Sequence, residues 1–122
     1  MSTDFVVDDA ENCTRVLARL LRSRGYHVVC AANGLEALEA LESEIPALVL
    51  LDLSMPVMDG VGFLKAIHSE PRWATLPVII VSGEDRGSSL RAADELAGRE
   101  VLVKSKFSAE QLFASIRRHV HA

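Results

Sequence analysis

Aromatic residues are scarce in this 122-residue sequence: one Trp, one Tyr and four Phe. The formal net charge is −4. Together these argue against nucleic-acid binding, which wants a basic face and often stacking rings. No apolar run approaches the roughly 20 residues of a membrane-spanning helix. The start, Met1-Ser2-Thr3-Asp4, lacks the basic region and apolar core of a secretory signal, so a cytoplasmic address is expected. In that compartment Cys13 and Cys30 are expected to be reduced and partly buried, with no disulfide between them. His27, His68, His119 and His121 lack the spacing of zinc ligands. No linker-like composition, repeat or low-complexity stretch divides the chain. One domain over residues 1–122 is therefore expected.

What the chain does have is a set of apolar runs that end abruptly on polar residues. Ala47-Leu48-Val49-Leu50-Leu51 ends on Asp52, and Phe5-Val6-Val7 ends on Asp8-Asp9. Val78-Ile79-Ile80-Val81 ends on Ser82-Gly83, and Val101-Leu102-Val103 ends on Lys104. Short, continuous apolar runs of this kind read as strands buried on both faces.

Helical patterns alternate with the runs. A first helix is expected over 11–23, burying Val16, Leu17, Leu20 and Leu21 and ended by Gly25, followed by a strand from Tyr26 to Ala31. Asn33-Gly34 turns into a second helix, with Leu35, Leu38 and Leu41 inward and Glu36, Glu39 and Glu42 in water. A third starts near Asp59-Gly60, burying Phe63, Leu64 and Ile67, with Asp59 as its N-terminal acid and Trp73 as an apolar lid beyond it. A fourth is expected over 88–96. The last opens on the capping-box pattern Ser108-Ala109-Glu110-Gln111 and buries Leu112, Ile116 and Val120.

Alternation of this kind predicts an α/β fold: a doubly wound, five-stranded parallel sheet, flavodoxin-like, with helices on both faces. Right-handed crossovers give the strand order 2-1-3-4-5. That order puts the first and third strands side by side at the switch point, where ligands bind at the carboxyl ends of strands. Asp8, Asp9 and Asp52 then meet in one crevice, with Ser82 and Lys104 at neighbouring strand ends. Clustered carboxylates repel one another and call for a cation. An oxygen-only donor set suits a hard divalent ion such as Mg²⁺. A hydroxyl and an ammonium beside it suit the oxygens of a phosphoryl group.

The ordered set of motifs resembles the receiver domain of two-component response regulators, of the single-domain chemotaxis type. The residues that carry the likeness are Phe5-Val6-Val7-Asp8-Asp9, the stretch from Leu50 to Gly60 (Leu-Leu-Asp-Leu-Ser-Met-Pro-Val-Met-Asp-Gly), Pro77 to Gly83, and Val103-Lys104 followed by Phe107. The resemblance implies that Asp52 accepts a phosphoryl group from a phosphohistidine on a histidine kinase or histidine phosphotransfer protein. It implies Asp9, Asp52 and the backbone carbonyl of Ser54 as Mg²⁺ ligands, with Asp8 acting through water. Lys104 would pair with Asp52 and then with the phosphoryl group. Ser82 and the N–H of Gly83 would close on a phosphoryl oxygen, moving the loop after the fourth strand and the surface of the helix expected over 88–96, and so signalling to a downstream protein target. Such a domain, expected here without an output module so that its signal leaves through a protein partner, is a signalling phosphoacceptor rather than an enzyme acting on other substrates, and is expected to be a monomer or weak dimer. The exposed stripe Arg15, Arg19 and Arg22 would be either a solvated face or a docking surface for the phosphodonor.

Two positions depart from the family pattern. Val101 stands where an aromatic ring usually lies three residues before the lysine, and Ser105 where a proline usually follows it. They lend support to a rival reading, a receiver-like adaptor that works without phosphate. A second rival, an aspartyl-phosphate hydrolase, would normally want an acid two residues after its nucleophile; that position is Ser54.

Overall fold

The computed structural model describes residues 3–9, 11–52, 57–82, 100–103 and 108–119. Strands and helices alternate along them: β1 (Thr3–Val7), α1 (Glu11–Ser23), β2 (His27–Ala31), α2 (Gly34–Ser43), β3 (Leu48–Leu51), α3 (Gly60–His68), β4 (Val78–Ser82), β5 (Glu100–Val103) and α4 (Ala109–His119). The helix expected over 88–96 and the burial of Val120 lie outside the described residues. All the strand pairs are parallel, and the sheet order is β2-β1-β3-β4-β5, as the crossover rule required.

Both faces of the sheet are covered, which is why the strands are apolar without alternation. Odd-numbered residues of β1 and β3 (Phe5, Val7, Val49, Leu51) pack with Ala37 and Leu41 of α2, Phe63, Leu64 and Ile67 of α3, and Trp73. Even-numbered neighbours (Val6, Leu48, Leu50) pack with Leu17, Ala18 and Leu21 of α1 and Leu112, Phe113 and Ile116 of α4. Trp73 is buried and caps the first of these layers, the lid role its position suggested.

Helix ends follow the local chemistry of the sequence. The Asn33 side chain accepts from the N–H of Glu36, and the Glu36 carboxylate accepts from the N–H of Ala32. Asp59 is the N-cap of α3, its Oδ1 accepting from Gly62 N–H at 2.8 Å. Ser108 and Gln111 bond reciprocally at the start of α4, completing the capping box. After α1, Gly25 has φ +90 and donates to Arg22 O, while Tyr26 N–H donates to Leu21 O. A Cβ at Gly25 would meet nothing within 4 Å, so only the backbone resists substitution. Gly25→Ala is therefore expected to cost about 1–2 kcal/mol, read as a lower denaturation midpoint with unchanged slope.

Four expectations are corrected. Val16 is exposed, and Ala18 is buried in its place, because the stripe of α1 facing the sheet runs through Leu17, Ala18 and Leu21. Leu35 is exposed as well, since α2 approaches closely enough to seat Gly34 and Ala37 inward, ahead of Leu41. Cys30 is a free, exposed thiol on the edge strand β2 rather than a partly buried one. Finally, β1 begins two residues before the apolar run, at Thr3. The main chain of Ala47 donates to Thr3 O, and the register pairs Asp4 with Val28 and Leu48.

The early start of β1 has a large consequence. Asp4 is fully buried on the α1/α4 side of the sheet, the side to which Val6 points. Neither of its carboxyl oxygens has a hydrogen-bond partner. Burial pushes its pKa up from 3.8 to about 6.

Candidate functional site

The carboxyl edge of the central strands assembles the site through backbone register. Val7 of β1 pairs with Leu51 of β3, so the next residue of each strand, Asp8 and Asp52, leaves the sheet side by side. Asp52 N–H donates to Val7 O at 2.9 Å, and Asp8 N–H donates to Ala31 O at 3.0 Å. The Thr14 hydroxyl donates to Asp8 O at 3.0 Å, tying the first turns of α1 to the same point.

Asp8, Asp9 and Asp52 each offer a carboxylate oxygen, and these oxygens all lie within 4.8 Å of one another. Asp8 and Asp52 are buried and Asp9 is exposed. Three anionic oxygens at this separation repel strongly in a half-buried crevice. They also form the donor set that a hard cation takes: oxygen only, charged, and open to solvent on one side through Asp9. The donor chemistry and spacing therefore fit a Mg²⁺ ion. Among the described residues no other group of His, Cys, Asp and Glu is brought together in this way.

The remaining expected site residues stand as follows. Ser82 is the last residue of β4, paired through its backbone with Val103, and so reaches the same edge. Val103 is the last residue of β5 and pairs through its backbone with Ser82. Val101 lies within β5 opposite Ile80. Ser54, Gly83, Lys104 and Ser105 lie outside the described residues. Asp59 is a helix cap and not a member of the cluster.

Beside the acids runs a groove of about 980 Å³ whose walls include Asp8, Asp9, Arg15, Arg19, Arg22 and Cys30. Its three arginines are exposed, and Arg22 also donates to Val28 O of the edge strand at 3.3 Å. Desolvation raises the pKa of the Cys30 thiol, with Arg22 pulling the other way, so the thiol is no ready nucleophile at neutral pH. Residues that sequence reasoning missed are Gly34 and Met58. Gly34 N–H donates to Met58 O at 2.9 Å, an approach no local propensity signals.

Residues 5–117 match the family model described as the response regulator receiver domain. Among curated relatives, the transcriptional regulatory protein KdpE of Mycobacterium tuberculosis is 34% identical over 121 residues, covering 98% of this chain and 51% of its own length. Protein PilG of Pseudomonas aeruginosa is 30% identical over 116 residues, covering 95% of this chain and 85% of its own. The chain thus spans about half the length of KdpE. Among solved structures, the chemotaxis protein CheY4 of Vibrio cholerae superposes with a TM-score of 0.89 at 27% identity, covering 98% of this chain and 99% of that one. The response regulator TrrA of Thermotoga maritima, in complex with Mg(2+)-BeF, has a TM-score of 0.85 at 28% identity and covers 98% and 100%.

Proposed function

The chain belongs to the response regulator receiver domain family, phosphoacceptors of two-component signalling, and from that premise we propose that Asp52 is its phosphoacceptor. The observation that carries this reading is the meeting of Asp8, Asp9 and Asp52 at the carboxyl edge of the sheet. An Asp52 oxygen attacks the phosphorus of a phosphohistidine. A P–O bond forms as the P–N bond breaks, and the electron pair goes to the ring nitrogen, which takes a proton. The product is an acyl phosphate on Asp52.

The anionic donor must approach an anionic crevice. Asp9, Asp52 and the carbonyl of Ser54 would hold Mg²⁺, with Asp8 supporting through water. When bound, the ion supplies positive charge against the carboxylates and a partner for a phosphoryl oxygen. The donor set is the support for this, together with the Mg²⁺ and BeF held by the Thermotoga relative.

Lys104 would pair with Asp52 at rest and with the phosphoryl group afterwards. The Ser82 hydroxyl and Gly83 N–H would bond the phosphoryl oxygens, a charge-assisted contact worth about 1.5–3 kcal/mol. That shifts a two-state equilibrium by about ten- to a hundredfold, enough to move the segment after β4. With Val101 in place of a ring, the readout of the movement is reduced or routed differently. The arginine-lined groove beside the acids is the docking face for the histidine kinase or phosphotransfer protein, and the output passes to a downstream protein. Among the described residues no helix is long and apolar enough to cross a membrane.

Incubation with Mg²⁺ and a small-molecule phosphodonor should add one base-labile phosphoryl group, and Asp52→Asn should abolish the addition. Absence of modification in the parent protein would favour the phosphate-independent adaptor. Sustained turnover of diverse phosphate esters would favour the hydrolase.

A further inference from the structure

We propose that Gly34 is a positioning residue for the metal and phosphoacceptor site: its N–H and its missing side chain lock Met58, six residues after Asp52, against the corner whose Ala31 carbonyl holds Asp8. This inference rests on the function proposed above and adds to it a residue that touches neither metal nor phosphoryl group.

Two backbone hydrogen bonds involve the corner between β2 and α2, and a third joins the ends of β1 and β3. Asp8 N–H donates to Ala31 O at 3.0 Å, Asp52 N–H donates to Val7 O at 2.9 Å, and Gly34 N–H donates to Met58 O at 2.9 Å. The corner from Ala31 to Gly34 thus fixes one acid directly and grips the chain six residues after Asp52. Gly34 N–H is one of the first N–H groups of α2, which has no partner within the helix, so its bond to Met58 satisfies a donor that would otherwise be orphaned.

The space at Gly34 is as specific as the bond. A Cβ built there would lie 2.8 Å from Met58 Cγ, 2.9 Å from Met58 O and 3.0 Å from Met58 Sδ. One of these is main chain and cannot swing aside. The opposite wall is also tight, since a Cβ at Gly62 would lie 3.2 Å from Met58 Cγ. Met58 is therefore seated between two glycines, one on α2 and one on α3.

The seat is needed because the chain entering it is strained. Val57 has φ +65, a left-handed conformation that β-branched residues rarely adopt, and the residue is 79% exposed. No packing by Val57 offsets that conformation. What holds it are the Met58 carbonyl on Gly34 and the Asp59 cap on Gly62, the next two residues along. Releasing Gly34 removes one of the two bonds that hold Val57 in this conformation.

Coupling of this kind is reciprocal: if the clamp strengthens Mg²⁺ binding, Mg²⁺ must strengthen the clamp by the same factor. In the parent protein, saturating Mg²⁺ should slow hydrogen exchange of the Gly34 amide by about fivefold or more, while the Gly25 amide at the far end of the sheet is unchanged. Gly34→Ala should weaken Mg²⁺ binding and slow labelling by the phosphodonor by a similar factor. Adding Met58→Ala should recover part of the loss by removing the Cγ and Sδ contacts. Gly25→Ala lowers stability through the backbone alone and should leave Mg²⁺ affinity intact, which separates positioning from general destabilisation. If Gly34→Ala does not fold, the exchange experiment on the parent protein decides. Mg²⁺ binding and labelling with no change at the Gly34 amide would overturn the clamp and leave the proposed function standing. A protein that binds no Mg²⁺ would defeat both.

Discussion

Replacing Asp9 by asparagine is expected to make the metal-free protein more stable and, at the same time, nearly indifferent to magnesium. Both effects come from one geometry. Three carboxylate oxygens lie within 4.8 Å of one another, and two of the three acids are buried. Without a cation their mutual repulsion opposes folding, and removing one charge relieves it. Asparagine keeps the shape and one oxygen but offers a hard cation a much poorer ligand. Loss of Mg²⁺ affinity should exceed the roughly 10- to 100-fold typical of losing an outer-shell partner. Thermal unfolding with and without Mg²⁺ checks both halves. The parent should gain stability on adding Mg²⁺, as any ligand of the folded state confers. Asp9→Asn should start higher and gain little. A variant that is less stable than its parent without metal would show that Asp9 serves the fold and not the site.

The second large effect lies at the opposite end of β1. Asp4 is buried without a hydrogen-bond partner, and its pKa is raised to about 6. A carboxyl that binds its proton more tightly in the folded than in the unfolded chain stabilises the fold while protonated. Between about pH 4 and 6 the folded state holds the extra proton, so this contribution to stability falls as pH rises through that window and levels off above it. A rise from 3.8 to about 6 corresponds to about 3 kcal/mol over the whole titration. Asp4→Asn removes the titration. The difference in unfolding free energy between variant and parent should therefore grow in favour of the variant by about 2–2.5 kcal/mol from pH 4 to pH 7, and then stay flat. Denaturant titrations at several pH values measure it. A difference independent of pH would mean that Asp4 finds a partner or water in solution.

The two acids also mark where the sequence was legible and where it was not. Asp8, Asp9 and Asp52 could be placed because each ends an apolar run, and parallel strands of known order must align those ends. Asp4 precedes its run, so nothing in the pattern distinguished it from a solvated terminus; only pairing of β1 with both β2 and β3 draws it into the core. Caps were readable for a related reason. Asp59 and Ser108 act within three or four residues of themselves, and local hydrogen bonding is what sequence encodes most directly. The inward stripes of α1 and α2 were misjudged by size. Val16 and Leu35 are the larger residues, yet Ala18 and Ala37 face the sheet, because close helix–sheet packing selects the small side chain. Gly34 was read as a turn residue. Its actual constraint, the Met58 carbonyl 2.9 Å from where a Cβ would sit, arises between segments far apart in sequence. No window of neighbouring residues contains it.

The site requires one cation shared by acids from two strands. A crystal grown with Mn²⁺, which takes the same oxygen ligands as Mg²⁺, answers this through its anomalous signal. One peak is predicted, about 2 Å from carboxylate oxygens of both Asp9 and Asp52. A map without a peak there, or with the ion held by residues of one strand alone, would contradict it.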